Sequence, residues 1–86
     1  MEWVILLGVI VEYKIVIFSY SSKFNKEIEA GSFPLLEKIT FGKIFNSQIK
    51  PNSMPNVTKI TFAIYSDFNQ PIEKGTFRLL EEKEIN

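Results

Sequence analysis

The sequence predicts a mainly β fold, a short solenoid in which each coil contributes one strand to a parallel sheet. Three observations carry this expectation. Phe-Asn recurs as Phe24-Asn25, Phe45-Asn46 and Phe68-Asn69, at separations of 21 and 23 residues. An isoleucine follows each pair at a constant offset (Ile28, Ile49, Ile72), and a turn-forming residue stands three positions further on (Gly31, Asn52, Gly75). Each block then closes on an alternating segment, Leu36-Glu37-Lys38-Ile39-Thr40-Phe41 in one and Val57-Thr58-Lys59-Ile60-Thr61-Phe62 in the next. A unit this short has no room for a strand and a full helical crossover, so strand and tight return must alternate.

Taken from the N-terminus, residues 3–11 form an unbroken run of nine apolar residues. That is well short of the roughly 20 needed to cross a bilayer as a helix. Its richness in Val4, Ile5, Val9, Ile10 and Val11 fits a buried strand. Residues 1–12 are therefore read as an apolar strand or cap, with 3–18 as an alternative membrane-anchoring or secretory segment. Tyr13, Val16 and Phe18 occupy the offsets of the later strands, which places strand centres at Val16, Ile39 and Ile60. Within each strand Ile and Phe face one side and Thr the other, because side chains alternate. Leu36 and Val57 point into the same core. Pro34 and Pro55 fix φ in the return, while Gly31 and Gly75 permit positive φ. No coil buries its apolar face alone, so successive coils must stack. The repeats run through residues 13–82, and residues 83–86 read as a polar C-terminal tail.

Phe68-Asn69-Gln70-Pro71-Ile72-Glu73-Lys74-Gly75 resembles the signature of FNIP repeats, a leucine-rich-repeat-like family with a period of about 22 residues. Ile39-Thr40-Phe41-Gly42 and Ile60-Thr61-Phe62 match its strand portion, and Phe24-Asn25 to Ile28 and Phe45-Asn46 to Ile49 match its second portion without the proline. The resemblance implies a leucine-rich-repeat-like solenoid serving protein–protein interaction. In the family such arrays often follow an F-box in proteins of social amoebae and giant DNA viruses, as substrate receptors of ubiquitin ligases. Here no F-box of usual size is expected upstream. Arg78 replaces the proline found at 34 and 55, and Lys83 stands where Ile39 and Ile60 stood.

Composition narrows the chemistry. The chain has 86 residues, enough for one domain, with ten Lys+Arg against ten Asp+Glu and no net charge. Binding that works by neutralising phosphates needs a basic excess, so no nucleic-acid partner is expected. With neither His nor Cys, the usual zinc sites, thiol chemistry and Ser–His nucleophiles are excluded. No catalytic, cofactor-binding or metal-binding residues are assigned. The chain is expected to be non-enzymatic, without cofactor, and cytoplasmic (in the host cell if viral). The outward strand residues Lys38, Thr40, Lys59 and Thr61 should align as matching pairs and are the candidate partner-binding positions. Ile15 and Ile17 occupy equivalent outward places on the preceding strand. Phe24, Phe45 and Phe68 are read as core filling, and Asn25, Asn46 and Asn69 as a hydrogen-bonding ladder between coils. The alternative reading is a structural or self-assembling subunit, or a degenerate piece of a longer array.

Overall fold

The computed structural model of the chain describes residues 13–85; the apolar segment 1–12 lies outside them. Four short strands, β1 (Ile15–Ile17), β2 (Lys38–Phe41), β3 (Lys59–Phe62) and β4 (Glu82–Ile85), form one sheet in the order β1-β2-β3-β4. Every neighbouring pair is parallel, and Val16, Ile39, Ile60 and Lys83 stand in register. The chain thus winds as a stack of coils with one strand in each, as the recurring offsets require. Residues 83–85 are not a tail beyond the fold. They belong to β4, because a parallel strand takes its pairing from the backbone of its neighbour and does not need an apolar side chain at every inward position.

Each coil returns through turns of the same construction. Ser32, Ser53 and Thr76 donate their backbone N–H groups to the carbonyls of Glu29, Lys50 and Glu73, at 3.2, 3.2 and 3.1 Å. The residue before each donor has positive φ: Gly31 at 79°, Asn52 at 63° and Gly75 at 87°. Pro51 precedes Asn52, completing the residue pattern of a type II turn. A second turn follows, in which Leu36, Val57 and Leu80 donate to the carbonyls of Phe33, Met54 and Phe77. Arg78 stands in the last of these where Pro34 and Pro55 stand in the others, and the turn is kept.

The core lies between the sheet and the returning chain. Leu36, Ile39, Phe41, Ile49, Met54, Val57 and Ile60 are fully buried, and Phe24, Phe68, Phe77 and Leu80 pack around them. Two columns of parallel phenylalanine rings run up the stack. Phe18, Phe41 and Phe62 form one, with centroids 6.1 and 5.7 Å apart. Phe24, Phe45 and Phe68 form the other, at 5.8 Å for both steps. Rungs join them within each coil at 4.6, 4.0 and 4.6 Å. Stacked pairs of this kind add about 0.5–1.5 kcal/mol each beyond the area they bury.

The hydroxyl of Ser32 donates to the Glu29 carbonyl at 2.6 Å. Its counterparts Ser53 and Thr76 are buried, yet their hydroxyls have no hydrogen-bond partner among the described residues. An unsatisfied buried hydroxyl costs about 1–3 kcal/mol. Ser53→Ala is therefore expected to leave stability unchanged or raise it by up to about 1 kcal/mol, whereas Ser32→Ala lowers it by about 0.5–1 kcal/mol. Urea denaturation of the two variants distinguishes these signs.

Candidate interaction surface

Because β-strand side chains alternate, the residues between the buried ones form the outer face of the sheet. Register aligns them in two rows across the strands: Ile15, Lys38, Lys59 and Glu82 in one, and Ile17, Thr40, Thr61 and Glu84 in the other. The four partner-binding positions expected from the sequence therefore lie together, lysine beside lysine and threonine beside threonine.

The electrostatics of this face were not visible in the repeat alone. Lys59 Nζ lies 3.7 Å from a carboxylate oxygen of Glu82 and 3.5 Å from one of Glu84, both on β4. The signal was present in the numbering, since Glu82 and Glu84 follow Lys59 and Thr61 at the offset that separates neighbouring strands. Lys38 forms no ion pair with any described residue. At the β1 end the face is apolar, with Ile15 58% and Ile17 72% exposed. At the β4 end the sheet closes on charge, and Lys83, in the inward register, carries its ammonium 5.9 Å from the centre of the Phe62 ring. Charged edge strands of this kind discourage further pairing. A second exposed apolar set, absent from the sequence reading, follows the strands in the turns: Tyr20, Ile44, Ile64 and Tyr65.

The asparagines form the rungs between coils. The Asn46 N–H donates to Asn25 Oδ1 at 2.7 Å, and the Asn69 N–H donates to Asn46 Oδ1 at 2.9 Å. Ser47 Oγ also donates to Asn25 Oδ1, and Gln70 Nε2 to the side-chain and backbone oxygens of Asn46. The side chains of Asn25 and Asn46 thus each complete the turn of the coil above. Asn46→Ala should cost about 0.5–1.5 kcal/mol, since the freed groups at the surface recover water. Asn69→Ala should cost almost nothing, because no described residue donates to its side chain. Comparison of the two urea midpoints checks the asymmetry.

Residues 24–65 match the family model of the FNIP repeat. Over these residues the chain is similar to the FNIP repeat. The Phe-Asn pair has a double role here, the ring stacking within the core and the amide bridging to the next coil. The same coil geometry continues on both sides of the matched residues, to β1 and β4. Comparison with curated proteins and with solved structures found no match. Among the described residues, no group of three or more His, Cys, Asp or Glu is placed to hold a metal ion, and no helix is long and apolar enough to cross a membrane.

Proposed function

We propose that this chain is a non-enzymatic interaction module that binds a protein partner through the outer face of its sheet, with Lys38, Thr40, Lys59 and Thr61 among the contacts. The observation that supports the reading most directly is the register. One side of the sheet is committed to the core, while the other displays two aligned rows of side chains at the strand spacing of about 4.8 Å. Such an array is held by the stacked backbones, so docking against it orders little that is not already ordered. Solenoids present extended surfaces of this sort for recognition. In this reading the module works in the cytoplasm and needs no cofactor.

The test is partner capture by wild type and by a variant with Lys38, Thr40, Lys59 and Thr61 all changed to alanine. The face is solvated, so the variant should fold, and capture should fall at least about tenfold. Changing Glu29 and Glu73, in the returning turns, should leave capture intact. Undiminished capture by the fourfold variant would rule the face out.

One observation favours a second reading, self-assembly. β1 lies at an edge of the described sheet and exposes both Ile15 and Ile17, and an apolar edge strand invites pairing with another chain. Light scattering separates the two readings, because a stable monomer at high concentration argues against assembly.

A further inference from the structure

Across the outer face, charge and apolar surface are sorted by strand. On β3 and β4 the cation is paired, Lys59 lying between Glu82 and Glu84 at 3.7 and 3.5 Å, with one carboxylate in excess. On β1 and β2 they are not. Lys38 stands in register between Ile15 on one side and Lys59 on the other. Like charges at adjacent cross-strand positions repel, and only Lys59 has carboxylates to offset this. Beside Lys38, the exposed Ile15 and Ile17 project from the same face, two residues apart and so about 6.6 Å along the strand.

We infer that this β1–β2 part of the face takes a partner segment in which an aliphatic or aromatic side chain lies within a residue or two of a carboxylate. The apolar group covers Ile15 and Ile17, and the carboxylate pairs with Lys38. The inference rests on the outer-face reading given above and narrows it to one chemistry. A carboxylate finds a cation that forms an ion pair with no described residue. An incoming cation meets two ammonium groups. A purely apolar segment strips water from Lys38 without pairing it, which is costly. Docking of the same patch from a second copy brings two more isoleucines but no carboxylate, because Ile15, Ile17, Lys38 and Thr40 include none.

The experiment is selection of random peptides displayed on phage against the intact protein, with the enriched sequences then synthesised and titrated by fluorescence anisotropy. The enriched sequences should place Asp or Glu within two positions of Leu, Ile, Phe or Trp. Their affinity should fall about tenfold or more with Lys38→Glu and with Ile17→Ser, and should weaken as salt is raised. Lys38→Glu sets a carboxylate beside Lys59, so this variant should retain the wild-type circular dichroism and midpoint. It should also bind the peptide whose acid is replaced by lysine, a rescue that mere loss of fold could not produce. Enriched sequences lacking an acid, or acidic ones unaffected by Lys38→Glu but weakened by Lys59→Ala and Thr61→Ala, would overturn this assignment and leave the outer-face reading standing. Peptides indifferent to all of these changes would overturn both. A selection that returns no binder to this face counts against the proposal. So does a dimer, seen by sedimentation, that Ile17→Ser dissociates, since it assigns the patch to a second copy.

Discussion

Phe41→Ala is expected to remove about 3–5 kcal/mol of stability, the range for deleting a buried phenylalanine ring. Phe41 is fully buried at the crossing of the two ring columns. Its ring stacks on Phe45 at 4.0 Å and on the rings of the coils either side, Phe18 at 6.1 Å and Phe62 at 5.7 Å. No other within-coil pair in the ladder is so close. A chain of this size has roughly 4–13 kcal/mol in total, and short stacks have few interfaces over which to spread a loss. The variant should therefore be largely unfolded in modest urea, followed by circular dichroism. Phe68→Ala, at a partly exposed ring that stacks, among the described residues, only on Phe45 and Phe62, should lose clearly less. Equal losses would mean that the columns are not the centre of the core.

The second large effect is expected at Gly42. A Cβ there would lie 2.5 Å from the Ser19 carbonyl oxygen, 3.2 Å from Ser22 Cβ and 3.3 Å from the Tyr20 carbonyl oxygen. Two of these three atoms are backbone and cannot rotate away. The coils are also tied together at this point, where the Lys43 N–H donates to the Tyr20 carbonyl at 3.0 Å. Relief requires the two turns to separate and that bond to lengthen. Gly42→Ala should cost about 1–3 kcal/mol or more, as overpacking does elsewhere. Gly31→Ala is the comparison. A Cβ at Gly31 meets nothing within 4 Å, but φ is +79°, so only the left-handed backbone penalises it, by about 1–2 kcal/mol. Thermal or urea midpoints should rank Gly42→Ala below Gly31→Ala. The reverse order would show that crowding between the turns is not what fixes glycine at 42.

The coil is readable from the sequence because stacking imposes the same physical demand at each turn of the chain. Ile39 and Ile60 had to match to touch each other, Gly31, Asn52 and Gly75 had to tolerate positive φ, and Asn25 and Asn46 had to reach the next coil. Where a residue answers to a different neighbour, the pattern is silent. Lys83 breaks the row of inward aliphatics, and its ammonium lies 5.9 Å from the centre of the Phe62 ring. The pairing of Lys59 with Glu82 and Glu84 was hidden for the same reason, since those residues look like a solvated terminus when read along the chain and become neighbours only through the sheet. Gly42 showed only as the last residue of the Ile39-Thr40-Phe41-Gly42 match, with nothing to say why glycine is needed there. Its counterparts are Ser19 and Ala63, and the need for glycine comes from the central coil, whose Phe41 and Phe45 are closer in sequence than Phe18 and Phe24 or Phe62 and Phe68.

Scalar couplings across hydrogen bonds, measured by NMR, report backbone pairing without reference to side chains. They should connect the N–H of Phe18 to the carbonyl of Thr40, Thr58 to Glu37, Glu81 to Thr58 and Gly31 to Asn52, contacts of 2.9, 2.8, 2.8 and 2.9 Å. An unbroken run of couplings between residues four apart through 38–62, in place of the isolated turn bonds of Ser53 and Val57, or a ladder displaced by one residue, would contradict the stacked coils. A displacement by one would also turn the lysines and threonines inward and dissolve the surface on which the proposed recognition depends.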